Sequence, residues 1–249
     1  MPHIRAEGIF VEFPIYGAKN RSLKNTFIHT ATGGLLAKDA ADRIVVRALN
    51  DLSFEFRDGD RIGIVGHNGS GKTTLLRVLT GAYEPVRGSI EIVGRVASML
   101  SISLGMDPEA TGYENIFLRA AIMGLKPSEV PPLVDEICEF SELGDYVQMP
   151  VRTYSSGMAM RLMFAISTCI SSDIVLMDEW LSVGDSAFSE KAQHRLHRLL
   201  GRAKILVLAS HNEQLIRDNC NKIMRLEHGT IVGFEELSTQ PPGRLPFVV

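Results

Sequence analysis

Short apolar runs alternate along this chain with segments whose apolar residues recur every three or four positions. The runs have the length and β-branched content of buried strands, and the periodic segments have the spacing of amphipathic helices. The predicted strands are 4–13, 45–49, 52–56, 61–65, 90–95, 174–177, 204–209, 223–226 and 230–232. Strands that alternate with helices predict an α/β fold with a mainly parallel, helix-covered sheet that binds ligands at the carboxyl ends of its strands.

Helical spacing replaces this alternation between residues 107 and 170. Thr111, with Glu114 three residues later, predicts a capped helix start, and a long helix is predicted from Ser156. We therefore expect one domain in which a helical subdomain, 107–170, is inserted into a core made of 1–106 and 171–240.

Several connecting segments are also predicted. The strands 45–49 and 52–56 are expected to pair with each other, and Pro85 to Ser89 is expected to form a turn. An insertion over 14–44 carries basic and apolar residues, and it is read either as a solvated loop with one short helix or as an element that touches lipid headgroups or a membrane partner. The tail, 241–249, is expected to be loosely ordered.

Composition narrows the function classes. The 249 residues include 45% hydrophobic and 22% charged ones, which is an ordinary globular balance, and the net charge of −3 argues against nucleic-acid binding by bulk electrostatics. The three cysteines form no C-x-x-C pair, which favours reduced thiols and gives no support for zinc. No apolar run is long enough to span a bilayer, so any membrane role is expected to come through a partner chain.

A glycine-rich loop between the strand 61–65 and a helix has the spacing of a P-loop. Backbone N–H groups of such a loop and the positive end of the following helix hold phosphate oxygens. Its lysine is expected to reach the terminal phosphates, and its first threonine to offer a hydroxyl to Mg²⁺. The candidate phosphate-binding residues are Gly66, His67, Asn68, Gly69, Ser70, Gly71, Lys72, Thr73 and Thr74.

Two further segments carry candidate chemistry. Asp178 and Glu179 end an apolar strand, where a carboxylate is costly unless it binds a cation or a partner. Asp178 is expected to hold Mg²⁺, and Glu179 to polarise a water near the γ-phosphate. The second segment is Tyr-Ser-Ser-Gly-Met at 154–158, whose helix start predicts a second anion-binding site at Ser155, Ser156 and Gly157.

The order of these segments resembles that in the nucleotide-binding subunits of ABC transporters. The resemblance covers nearly the whole chain, from the P-loop to the Leu-Ala-Ser-His that ends at His211. Within that group, Thr-Gly-Tyr-Glu-Asn-Ile at 111–116 and Val-Gly-Asp-Ser-Ala-Phe at 183–188 resemble the subfamily that exports lipid-linked polysaccharides such as O-antigens and teichoic acids. The α/β fold should then be a P-loop (RecA-like) core with an N-terminal antiparallel β subdomain.

The resemblance implies a homodimer with two ATP molecules between its subunits, each held by the P-loop of one copy and by 155–157 of the other. Glu179 would be the general base, His211 would sense the γ-phosphate, and Asp185 would couple the two sites. An aromatic side chain would stack on adenine, and both Phe13 and Tyr16 lie close to the expected position.

Two positions depart from the family pattern. Ser101 stands where a Gln or Glu usually touches Mg²⁺ and the membrane partner, and Met158 replaces the signature's usual closing Gln. The catalytic acid, lysine and histidine are all present, so hydrolysis is expected to survive. Because the chain ends soon after residue 232, we expect it to lack the carbohydrate-binding domain that some of these exporters carry.

The sequence thus predicts an ATPase subunit that powers export of a lipid-linked glycan. It would work through an integral-membrane subunit, expected in two copies, at the cytoplasmic face of the bacterial cell membrane. Alternative interpretations are a subunit of an ABC drug exporter or importer, which shares all the catalytic motifs, and a structural or regulatory ABC ATPase without a membrane partner.

Overall fold

A computed structural model describes residues 1–15, 36–38, 44–100, 105–178 and 186–237. The chain divides into two compact units, and each is described by itself. The first comprises Met1–Gly94, Leu176–Glu179 and Lys204–Val249, and the second comprises Arg95–Val175 and Trp180–Ala203. The predicted subdomain boundaries at 107 and 170 remain a prediction.

The described residues form ten strands and six α-helices. The strands are β1 (His3–Pro14), β2 (Leu36–Lys38), β3 (Ile44–Arg57), β4 (Arg61–Val65), β5 (Arg87–Val93), β6 (Val96–Ser98), β7 (Ile174–Asp178), β8 (Ile205–Ala209), β9 (Lys222–Glu227) and β10 (Thr230–Glu236). The helices are α1 (Lys72–Leu79), α2 (Gly112–Ile122), α3 (Pro131–Ser141), α4 (Ser156–Cys169), α5 (Ser186–Arg202) and α6 (Glu213–Asn219). None of these described helices is long and apolar enough to cross a membrane.

The first unit contains an antiparallel sheet with the strand order β2-β3-β1-β5. The predicted pair of strands at 45–49 and 52–56 is wrong, because β3 is one continuous strand that pairs with β1 along both halves. Asp51 takes a left-handed φ of 56° in the middle of β3, and the register with β1 shifts on either side of it. The residues that suggested a tight turn therefore form an irregularity within a strand.

The predicted turn from Pro85 to Ser89 is also wrong in its second half, because β5 begins at Arg87. Gly88 has a φ of 81°, and a Cβ there would collide with the carbonyl oxygens of Glu7 and Gly8 in β1. The β1–β5 register shifts at this point. The glycine therefore permits a close strand approach at a bulge.

The second sheet supplies the core of the first unit, where its strands follow the order β10-β9-β4-β8-β7. β4 pairs in parallel with both β8 and β9, and β10 pairs antiparallel with β9. All five residues of β8 are buried, as expected for a parallel strand covered on both faces. These features confirm the predicted α/β fold with an antiparallel β subdomain.

The second unit is mainly helical and also contains β6 and the first residues of β7. Thr111 caps α2 as predicted: its Oγ1 accepts from the Glu114 backbone N–H at 3.1 Å, and the Glu114 carboxylate accepts from the Thr111 N–H at 2.8 Å. Phe140 of α3, Phe164 of α4 and Phe188 of α5 meet with ring centroids 5.5 to 6.3 Å apart. These rings hold the three helices together.

Candidate functional site

The glycine-rich loop connects the end of β4 to the start of α1, as the sequence predicts. Gly71 caps α1 with φ 108° and ψ 0°, a backbone conformation that residues with a Cβ rarely adopt. An added Cβ would lie 2.9 Å from the Ala48 carbonyl oxygen and 3.0 Å from Leu49 Cδ2. A Cβ at Gly66 would likewise collide with the Leu226 carbonyl oxygen. Glycine is thus required at both ends of the loop. The first N–H groups of a helix have no acceptor within the helix, so those of α1 can bind a ligand at the loop.

Ser70 ties this loop to the turn between β9 and β10. Ser70 is fully buried, its N–H donates to the His67 carbonyl at 3.1 Å, and its own carbonyl accepts from the Gly229 N–H at 2.9 Å. The His67 ring also lies 4.9 Å from the ring of His228 in the same turn. These contacts anchor the loop to the turn between β9 and β10.

The other residues predicted to bind phosphate lie at the tip of the loop and in the first turn of α1, and their phosphate contacts remain a prediction. Asn68 and Gly69 are exposed at the tip of the loop, where Gly69 has a φ of 80° and open space around it, and Thr74 is half-buried in α1. Lys72 Nζ donates to the carbonyl oxygens of Gly66 at 2.7 Å and of His67 at 3.1 Å. The ammonium group is thereby held across the loop, where it can attract phosphate oxygens.

Thr73 and Asp178 meet although they are far apart in sequence. The Thr73 hydroxyl donates to Asp178 Oδ2 at 2.6 Å, across a sequence separation of 105 residues. A hydroxyl and a carboxylate are hard oxygen ligands of the kind that Mg²⁺ prefers. Two of the three residues that the sequence predicted for Mg²⁺ thus meet next to the start of α1, and their role as metal ligands remains a prediction.

His211 follows β8 and lies beside the beginning of the P-loop. It lines a cavity of about 360 Å³ together with Gly66 and His67. The wall is completed by Val65, Ser210, Glu213, Arg225, Leu226 and Glu227. His211 is therefore positioned near the loop that the sequence assigned to phosphate, and its role as a γ-phosphate sensor remains a prediction.

Phe13 lies near the end of β1 and contacts an aromatic residue that the sequence reasoning missed. The ring of Tyr83 meets Phe13 edge-on with centroids 5.2 Å apart, and the Tyr83 hydroxyl accepts from Arg77 Nη1 at 2.8 Å. Tyr83 is the only aromatic residue between α1 and β5, and this feature of the sequence could have pointed to it. The half-buried Phe13 is thus held through Tyr83 to the helix that follows the P-loop.

The second predicted anion site lies in the second unit, at the start of α4. Ser155 Oγ accepts from the Met158 N–H at 3.1 Å, and Ser155, Ser156 and Gly157 are all exposed. The open helix start fits the predicted phosphate contact. Four further predicted residues lie outside the described part of the chain, and their roles remain predictions: Tyr16, Ser101, Glu179 and Asp185.

Comparison with known proteins identifies the family. The ABC transporter family profile matches residues 49–182, which is more than half of the chain. This chain belongs to the ABC transporter family. As an ABC transporter ATPase, it binds and hydrolyses ATP.

Several relatives of this ABC ATPase are named for export. The O-antigen export system ATP-binding protein RfbE of Yersinia enterocolitica is 44% identical over 225 residues, which cover 90% of this chain and 94% of the relative. The teichoic acids export ATP-binding protein TagH of Listeria innocua is 40% identical over 184 residues, or 74% of this chain and 55% of the relative.

Solved structures support the fold of the ABC ATPase. A dimeric ATP-binding cassette in a post-hydrolysis state, bound to ADP and Pi, matches with a TM-score of 0.65. The match covers 95% of this chain and all of the other at 18% identity, and it therefore concerns the fold alone.

Proposed function

We propose that this ABC ATPase powers the export of a lipid-linked polysaccharide through a separate membrane subunit. The observation that carries the proposal is the 44% identity to an O-antigen export ATP-binding protein over almost its whole length. The similarity to a teichoic acid exporter extends the argument, because both relatives are named for the export of a cell-surface polymer. A drug exporter or an importer would share the ATP site but not this pattern of relatives.

Two copies of the chain are proposed to close around two ATP molecules. Each ATP would be held by the P-loop of one copy and by Ser155, Ser156 and Gly157 of the other. The exposed start of α4 supports this arrangement, because its N–H groups and the Ser155 cap are accessible to a second molecule. A two-fold symmetric dimer makes the two sites equivalent.

Hydrolysis is proposed to use groups from the first unit. Lys72 binds the terminal phosphates, Glu179 accepts a proton from the attacking water, and His211 orients the γ-phosphate. Thr73 and Asp178, whose Oγ1 and Oδ2 atoms lie 2.6 Å apart, would hold Mg²⁺, and the bound ion would neutralise phosphate charge. ATP binding favours the closed dimer and hydrolysis removes that preference, so the cycle can drive a partner.

A groove on the second unit is the proposed contact with the membrane subunit. Its cavity measures about 760 Å³, and apolar side chains from α2 and the segment that follows form most of its lining: Tyr113, Phe117, Leu118, Ala121, Leu125 and Val130. Asp107, Glu109 and Glu114 add negative charge to the same lining. A short apolar helix flanked by basic residues would complement this surface.

The groove can be tested with a surface substitution. Leu118 is 42% exposed, so Leu118→Glu should fold and should leave the ATP turnover of the isolated chain unchanged. It should abolish co-purification with the membrane subunit, whereas Val232→Glu, at a position that is 53% exposed on β10, should not. Retained co-purification of Leu118→Glu would remove the groove from the proposal.

The transport function needs the assembled complex. The chain and its membrane subunit, reconstituted in lipid, should hydrolyse ATP several-fold faster with a lipid-linked glycan than without it. Amphipathic drugs and small solutes serve as controls and should have no such effect. Stimulation by a drug or a solute in place of the glycan would instead favour the drug exporter or importer.

A further inference from the structure

The second unit contains a small polar recess that none of the residues assigned above to ATP or to the groove lines. It measures about 100 Å³ and is formed by the end of α4, residues 170–172 and one face of α5. We propose that this recess binds a tetrahedral oxyanion, namely a phosphate group that is either free or carried by a larger molecule.

A buried arginine forms the inner wall of the recess. Arg195 is only 6% exposed, and its Nε donates to Thr168 Oγ1 at 2.8 Å. Its guanidinium also lies over the Phe140 ring at 4.3 Å, which fixes its plane. Nη2 forms an ion pair with Glu136 Oε1 at 2.9 Å, but the pair lacks the geometry of a hydrogen bond.

Two more arginines extend from the same helix face. Arg198 and Arg202 line the recess three and seven positions after Arg195, a spacing that places all three on one side of α5. Within the described ranges, neither forms an ion pair or a hydrogen bond, in contrast to Arg195. Three guanidinium groups thus face a single carboxylate, Glu136. Guanidinium groups match the oxygen geometry of phosphate, and the excess positive charge favours an anion.

A second donor in the recess also lacks a hydrogen bond. Ser172 Oγ is buried and has no hydrogen-bond partner among the residues that the structure describes. A buried polar group without a partner is costly, and the oxygens of one phosphate could accept from both Ser172 and Arg195. Capping of the carboxyl ends of the helices accounts for the position of Arg202. It does not account for two donors in one recess, Ser172 Oγ and Arg195 Nη2, that have no hydrogen bond.

Size and charge limit the ligand class. The volume is about three times the roughly 30 Å³ share of one water in the liquid, which suits one tetrahedral oxyanion and is too small for a nucleoside. Cys169 also lines the recess, and burial raises the pKa of its thiol to about 11. It therefore remains neutral and does not repel an anion at physiological pH.

Equilibrium titration of the full chain with inorganic phosphate tests the proposal. The ATP site is first saturated with a non-hydrolysable ATP analogue and Mg²⁺, so that phosphate cannot enter the P-loop. Calorimetry should then detect one saturable phosphate site per chain, and sulfate should compete for it. Chloride at matched ionic strength should not compete. No saturable binding under these conditions would overturn the proposal.

Variants locate the site. The double variant Arg198→Gln and Arg202→Gln should raise the dissociation constant for phosphate at least tenfold. The control is a second double variant, Lys126→Gln and Arg152→Gln, which removes two other exposed cations of this unit. It should change the dissociation constant less than twofold. Equal affinity in both double variants would contradict the assignment. If the first double variant is less stable in the absence of phosphate, the single variant Arg198→Gln gives the same comparison. Titration with glycerol 3-phosphate distinguishes free phosphate from a phosphate carried by a larger molecule. A site for a carried phosphate should bind this monoester, whereas a site that encloses phosphate fully should bind only the free ion.

Discussion

Substitution of Gly71 by alanine is expected to damage both the fold and the ATP site. Gly71 is the residue at which the P-loop becomes α1, and its φ of 108° with ψ of 0° lies outside the usual range of alanine. The added methyl group would also approach the Ala48 carbonyl oxygen to 2.9 Å and Leu49 Cδ2 to 3.0 Å. Either β3 or the start of α1 must therefore move.

The size of the effect follows from these two terms. A strained backbone conformation of this kind costs about 1–3 kcal/mol. Overpacking against a fixed backbone atom costs about 1–3 kcal/mol more. We expect the free energy of unfolding to fall by about 2–6 kcal/mol and the melting temperature by about 5–20 °C. Because α1 supplies the phosphate-binding N–H groups, ATP affinity should fall at least tenfold.

Two other glycines are matched controls. Gly81 has a φ of 76° with nothing within 4 Å of an added Cβ, so Gly81→Ala isolates backbone strain from the steric clash. Gly201 lies in α5 with open space around it, so Gly201→Ala should stabilise the chain slightly. Thermal unfolding and titration with ATP should show a moderate stability loss for Gly81→Ala and unchanged ATP affinity for both controls.

Two outcomes would contradict the conformation assigned to this loop. If Gly71→Ala melts at the wild-type temperature and binds ATP with wild-type affinity, the loop does not need the conformation described above. If Gly81→Ala weakens ATP binding as much as Gly71→Ala does, the effect arises from general destabilisation rather than from the P-loop.

Three further predictions concern other parts of the chain. Ser155→Ala should cost about 1 kcal/mol of stability through the lost α4 cap and should also lower ATP turnover. Thr111→Ala removes the α2 cap and should lower stability alone. Thermal unfolding measures the stability, and phosphate release measures the turnover. Asp178→Asn should raise the Mg²⁺ concentration for half-maximal ATP turnover at least tenfold, and an unchanged Mg²⁺ titration would exclude its role. Burial raises the pKa of Cys220 to about 12, so iodoacetamide at pH 8 should label it in urea but not in the native chain, as read by mass spectrometry.

The sequence was most informative where function restricts the chain. The P-loop, its strand and its helix were all predicted, because glycines at fixed spacing between an apolar run and a helical pattern have few other structures. The meeting of Thr73 with Asp178 was predicted for a related reason, since an acidic residue that ends a buried strand needs a cation or a donor nearby. The Thr111 capping box was equally visible as a local pattern.

The errors arose where pairing between distant segments decided the local structure. Asn50 and Asp51 have turn chemistry, yet β1 pairs with the chain on both sides of them, so β3 continues. Gly88 was assigned to a turn because an isolated glycine does not reveal which strand lies opposite. The contact between Phe13 and Tyr83 and the recess around Arg195 likewise depend on tertiary packing, which no short pattern contains.

The central claim is that two copies of this chain enclose ATP between the P-loop of one and the α4 start of the other. The most direct measurement is the mass of Glu179→Gln in solution with ATP and Mg²⁺, by size-exclusion chromatography with light scattering. The account predicts a species of twice the chain mass that requires ATP and disappears when Lys72→Ala is added. A Glu179→Gln chain that remains monomeric at saturating ATP, or one that hydrolyses ATP at the wild-type rate, would contradict it.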